Sequence, residues 1–108
     1  IEYAHSKDLQ VLLEIHNKEE FEKAIQSKAD LIGINNRNLE SFSVDISTTQ
    51  TILESKNKNN KIIISESGIH SAKDLRLLKQ AGVDAYLVGT SIMKSGNIRS
   101  KVRDLVEA

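Results

Sequence analysis

The stretch IIISESGIHSAKDLRLLKQAGVDAYLVG, residues 62–89, decides the fold. It opens on a β-rich run, 62–66, and then offers Ser71 with Asp74 three places on, the spacing of a capping hydroxyl and an acidic first turn at the start of a helix. Gly82 stands where that helix should end, since a glycine takes the left-handed C-cap conformation without a Cβ penalty. A second apolar run, 85–89, follows at once. Strand, helix and strand in that order bring the chain back to its starting end, so the two strands lie parallel in one sheet.

Outward from this passage the same unit recurs. Residues 10–16 form a compact apolar run, and Asn17 with Glu20 has the spacing of a capping box that opens a helix through about residue 26. The next strand is 31–35, followed by a polar loop to about 44 and by Asp45, placed to cap a helix that reaches to around 55. The basic, Asn-rich stretch 56–61 reads as a solvated turn. After residue 89 come a Gly-Thr-Ser turn and, beyond Gly96, an amphipathic helix through about 107, while residues 1–7 have the look of the tail of a helix. Each strand is largely apolar on both of its alternating sets, as in strands covered on both faces. An open doubly wound sheet and a piece of a (β/α)8 barrel both satisfy this pattern.

Composition narrows the function. With 108 residues the chain is one domain at most, and 15 Lys and Arg balance 15 Asp and Glu, so nucleic acid and anionic membrane surfaces find no electrostatic footprint. No apolar run approaches the roughly 20 residues that span a bilayer, and the N-terminal residues lack a signal-peptide layout. A cytoplasmic protein is expected, and the absence of Cys fits a reducing compartment. A domain of this size buries only about two-thirds of its unfolded surface, so its stability is marginal unless something covers its exposed apolar faces.

Polar residues interrupt the strands only at their C-terminal ends, the edge where α/β folds bind ligands. Glu14 shares a face with Leu12 and is either a catalytic carboxylate or a partner for a Lys or Arg; Glu66, placed alike after Ile62 and Ile64, has the same two readings. Asn35 and Asn36 suit a turn as well as a ligand, and His16 reads as a hydrogen-bonded spacer at the same rim. No His and Glu spacing suits a metal. Ser67-Gly68-Ile69 follows one strand directly and Gly89-Thr90-Ser91 the next, a pairing that resembles the barrel phosphate site after strands seven and eight more than it resembles two plain tight turns.

Five stretches carry a family likeness: Leu13-Glu14-Ile15-His16; residues 32–39, from Ile32-Gly33-Ile34 through Asn35-Asn36-Arg37 to Leu39; Phe42 with Val44 and Asp45; Ser65-Glu66-Ser67-Gly68-Ile69; and Leu87-Val88-Gly89-Thr90-Ser91-Ile92-Met93. Together they resemble indole-3-glycerol-phosphate synthase, a family of the tryptophan pathway. The resemblance runs over almost the whole chain and corresponds to the C-terminal half of the family's barrel, from the tail of helix four through helix eight. It implies half of a (β/α)8 TIM barrel, strands five to eight, with residues 1–108 as one phosphosugar-binding half-barrel.

By the same resemblance Glu14 is the general base, Asn35 holds a substrate hydroxyl and Arg37 braces the loop. Glu66 and Ser67 belong to the strand-seven rim, Gly68, Gly89 and Thr90 cradle the substrate phosphate with backbone N–H groups, and Leu87 lines the pocket. The implied reaction is a decarboxylating lyase step. It closes the ring of 1-(2-carboxyphenylamino)-1-deoxyribulose 5-phosphate, with loss of carbon dioxide and water and without metal or redox cofactor. The family's lysines at the ends of strands one and three, one of them the general acid, have no counterpart in this chain. Either a missing N-terminal half-barrel or self-association is therefore expected, and isolated residues 1–108 are expected to be inactive. The alternative is a noncatalytic half-barrel that binds phosphate compounds or serves as an assembly module.

Overall fold

In the computed structural model, residues 1–38, 40–41, 43–54 and 58–108 are described. Leu39 and Phe42 of the family-like stretches, and residues 55–57 at the expected helix end and turn, lie outside them. Among the described residues β1 (Leu12–Ile15), β2 (Leu31–Asn35), β3 (Ile62–Glu66) and β4 (Ala85–Leu87) form one four-stranded parallel sheet, ordered as in the sequence. The helices are α1 (Glu2–Ser6), α2 (Lys18–Ile25), α3 (Ser47–Leu53), α4 (Ala72–Ala81), the single turn α5 (Thr90–Met93) and α6 (Ile98–Val106).

Local chemistry sets these boundaries. Asn17 accepts from the Glu20 N–H at 2.8 Å and Ser71 from the Asp74 N–H at 3.3 Å, the two N-caps expected. Glu20 reaches back one residue further than a capping box requires, to the His16 N–H at 2.7 Å. That bond takes His16 out of the ladder and ends β1 earlier than expected. At the other end of β1 the Val11 N–H goes to Asp30 Oδ2 at 2.7 Å, so strand pairing begins only at Leu12. Asp84, just ahead of β4, places its carboxylate in the same way against β3, accepting from the Ile63 N–H at 2.9 Å. Gly82 closes α4 at φ 109°, the left-handed cap. Asp45 takes the Ser47 N–H at 2.9 Å just ahead of α3, doing the work of a cap from one residue before the Ile46 N-cap position. β4 stops at Leu87, two residues short of the expected end, because the chain turns there into α5, whose Met93 N–H donates to Gly89 O.

Successive side chains of a strand point to opposite faces, and here the two faces differ sharply. Ile15, Ile32, Ile34 and Ile63 share one buried cluster with Phe21 and Ala24 of α2, Ile52 and Leu53 of α3, Leu75 and Leu78 of α4, and Leu105 of α6. On the other face no helix among the described residues lies over Leu12, Ile62 and Leu87, which are 45%, 48% and 61% exposed. Cover on both faces was the expectation, and it fails because every helix of the core cluster packs on the same side. This also resolves the choice of architecture. A doubly wound sheet reverses its strand order and carries helices on both faces, whereas sequential strands with helices on one face are the arrangement of a (β/α)8 barrel.

Candidate active site

The register brings Glu14 of β1 opposite Gly33 of β2, and Asn35 of β2 opposite Glu66 of β3, all on the uncovered face near the C-terminal strand ends. Glu14 and Glu66 thus come from strands that flank β2, and between them Gly33 presents no side chain. The Glu66 carboxyl lies over that gap: a Cβ at position 33 would stand 2.0 Å from Glu66 Oε2. Glu66 is 8% exposed, whereas the Glu14 side chain is 42% exposed. Burial, contact with the Glu14 carboxyl and the charge of Glu14 push Glu66 up to about 7, with His16 pulling weakly the other way.

His16 lies at the same rim. Its Nε2 lies 3.6 Å from Glu14 Oε2 and its Nδ1 3.6 Å from Glu20 Oε1, so one imidazole stands between a rim carboxylate and the first turn of α2. The asparagine pair divides its labour. Asn35 Oδ1 accepts from the Arg37 N–H at 2.9 Å, holding the start of the loop. Asn36 is buried and fully engaged: its Nδ2 donates to Ser65 Oγ and to Ser67 O at 3.0 Å each, and its Oδ1 accepts from Thr49 Oγ1 at 2.7 Å and from the Thr49 N–H at 3.2 Å. It joins the end of β2, the turn after β3 and α3.

Beyond Glu66 a cavity of about 290 Å³ is bounded by Arg37, Ser67, Gly68, Leu87, Gly89 and Ser91, among others. Ser67 and Gly68 both have positive φ, 69° and 77°, and a Cβ on Gly68 would stand 2.6 Å from Val44 Cγ1, so conformation and space both demand glycine there. Gly89 differs. An added Cβ there meets nothing within 4 Å, so the fold itself leaves that space open. Thr90 opens α5 directly after Gly89, and the buried Oγ of Ser91 has no hydrogen-bond partner. The structure therefore gathers Glu14, Asn35, Glu66, Arg37, Ser67, Gly68, Leu87, Gly89 and Thr90 along one edge of the sheet. The sequence assigns no individual role to Gly33 or Ser91, though both lie in the family-like stretches; a glycine inside an apolar strand was the available sign of a close approach. Among the described residues no group of three or more His, Cys, Asp or Glu side chains could hold a metal, and no helix is long and apolar enough to cross a membrane.

The Glu66 carboxyl also sets a pH dependence. In the unfolded chain it releases its proton at about 4.5 and in the folded chain at about 7. Its contribution to stability is thus complete below 4.5 and is lost as pH rises through 7. Glu66→Gln should flatten the fall in melting temperature between about pH 5 and pH 8. A fall as steep as in the parent chain would show that the carboxyl is not perturbed.

Sequential parallel strands, helices on one face and polar groups massed at the C-terminal strand ends define the class: half of a (β/α)8 barrel, with its candidate site on the edge where such barrels bind ligands. Thiamine phosphate pyrophosphorylase from Pyrococcus furiosus shares this fold, with a TM-score of 0.70 at 21% identity over 92% of this chain and 48% of that one. The sequence profile of indole-3-glycerol phosphate synthase matches residues 1–105, and the chain belongs to that family. Indole-3-glycerol phosphate synthase of Staphylococcus aureus (strain Newman) is 46% identical over 96 residues, and that of Acetivibrio thermocellus 42% over 96 residues. In each case the match covers 89% of this chain and 36% of the relative, so the chain spans about a third of the length of the curated relatives it matches.

Proposed function

We propose that residues 1–108 are the C-terminal half of an indole-3-glycerol-phosphate synthase barrel, strands five to eight, beginning at the tail of helix four. The whole barrel would act in tryptophan biosynthesis, closing the indole ring of 1-(2-carboxyphenylamino)-1-deoxyribulose 5-phosphate with loss of carbon dioxide and water. The observation that carries this reading is the Glu66 carboxyl set over Gly33 beside Glu14, on the strand whose next residues, Ser67 and Gly68, bound the cavity. Glu14, the more exposed of the two, removes the proton lost during dehydration. Asn35 holds a substrate hydroxyl, Arg37 braces the loop, and Glu66 and Ser67 form the rim. Backbone N–H groups of Gly68, Gly89 and Thr90 take the phosphate, with Leu87 against the substrate's apolar part. The phosphate serves as a handle whose binding energy positions the reacting carbons. Neither metal nor redox cofactor enters this chemistry, which is redox-neutral overall.

A strand-end lysine from an N-terminal half-barrel supplies the general acid, so this chain alone has only half of the machinery. The uncovered face, with Leu12, Ile62 and Leu87 exposed, and the open edges of β1 and β4 favour association with that half or with a second copy. The same uncovered face favours the second reading, a noncatalytic phosphate-binding assembly module. Sedimentation at micromolar concentration should show a dimer or larger species, and the pure chain should show no more than trace turnover. Adding the N-terminal half-barrel of the Staphylococcus aureus relative should restore activity. A compact monomer would refute the association, and turnover by the pure chain would refute the half-site. Phosphate binding with no turnover in the mixture would favour the module.

A further inference from the structure

A glycine in the middle of a strand paired on both sides weakens it, through lost backbone entropy and the missing side chain. β2 nevertheless carries Gly33 at its centre, between Glu14 of β1 and Ile64 of β3. Its backbone does not require glycine, because the glycines with positive φ are Gly68 and Gly82. Space does. A Cβ at 33 would fall 2.0 Å from Glu66 Oε2, 3.2 Å from Glu66 Cδ and 3.2 Å from Leu12 Cδ2. Glu66 Oε2 is shielded from water, and no donor reaches it, although the Glu14 carboxyl is its neighbour. Two ionised carboxylates can only accept, so their contact becomes a hydrogen bond when one proton lies between them.

We propose that Gly33 is a positioning residue of this site: its missing side chain is the seat in which Glu66 lies across β2, beside Glu14. Among the described residues the titratable groups acting on Glu66 are Glu14 of β1 and His16 just after it; β2 offers Gly33 and Asn35, and β4 offers Leu87. Seated there, Glu66 holds its proton against Glu14 and leaves Glu14 to act as the base on a substrate carbon. That consequence rests on the reading of Glu14 as base; the seat itself is a property of this chain's geometry and is tested without turnover.

The test is a double-mutant cycle on residues 1–108, using Gly33→Ala, Glu66→Ala and both together, with urea midpoints and carbon-detected NMR titration of the Glu66 carboxyl. In the parent chain the Glu66 carboxyl should titrate in an upper step near 7. In Gly33→Ala the displaced carboxyl should lose that upper step, and the urea midpoint should fall. In the Glu66→Ala background the same substitution should cost much less, because the clashing carboxyl is gone. If Gly33→Ala alone does not fold, the double variant should. An equal loss in both backgrounds, an upper step that survives Gly33→Ala, or a double variant that fails to fold would each overturn the seat.

Discussion

In the closed barrel, Glu14→Gln should lower kcat by about 10²- to 10⁴-fold with little change in KM. The amide keeps the size of the side chain and much of its hydrogen bonding, but it cannot take up a proton at neutral pH. Gly89→Val provides the contrast. Position 89 has open space around it, so a larger side chain leaves the fold intact but enters the space proposed for the phosphate, and it should raise KM with kcat largely kept. If Glu14 were only an ion-pair partner, Glu14→Gln would lower the melting temperature and leave the folded fraction at full kcat. Steady-state kinetics beside a thermal melt separate these outcomes. Unchanged kcat in Glu14→Gln would end the base assignment, and unchanged KM in Gly89→Val the phosphate assignment.

The second large effect is on stability. Asn36→Ala should cost roughly 2–4 kcal/mol, since removing one partner of a buried hydrogen bond leaves the other carrying its full desolvation cost. Ser67 O loses its donor outright, and the Thr49 N–H keeps only a 3.1 Å bond to Ile46 O. Ser65 Oγ and Thr49 Oγ1 still face each other at 3.0 Å, which holds the loss below the sum of four bonds. Asn36→Asp should be no better at neutral pH, because a carboxylate cannot donate to Ser65 or Ser67 and instead meets the Ser67 carbonyl with a charge. A domain of this size has only about 5–15 kcal/mol to lose, so urea denaturation will resolve the change. A loss under about 1 kcal/mol would mean that water replaces the side chain.

How much was legible beforehand follows from the range of each interaction. The caps at Asn17, Ser71 and Gly82 act within one helical turn, so spacing alone located three helix ends correctly. β2 and β3 were bounded to the residue because their apolar runs end in polar pairs. β1 and β4 were overextended because the groups that end them, Glu20, Asp30 and the α5 turn, act from outside the run.

The sequence by itself determined four parallel strand–helix units and polar residues at the C-terminal strand ends, since periodicity and capping are local properties of a chain. Only the tertiary structure decided the rest. It placed every helix of the core on one face, which distinguishes the barrel arrangement from the doubly wound sheet. It made Asn36 a buried fastener and left Asn35 at the edge, though the two are identical neighbours in sequence. It set Glu66 over Gly33 against a carboxyl 52 positions away in the chain, from Glu66 back to Glu14. The physical reason is the same throughout: burial and the charge of a neighbour depend on which strands lie side by side, and strand register is not encoded in any one strand.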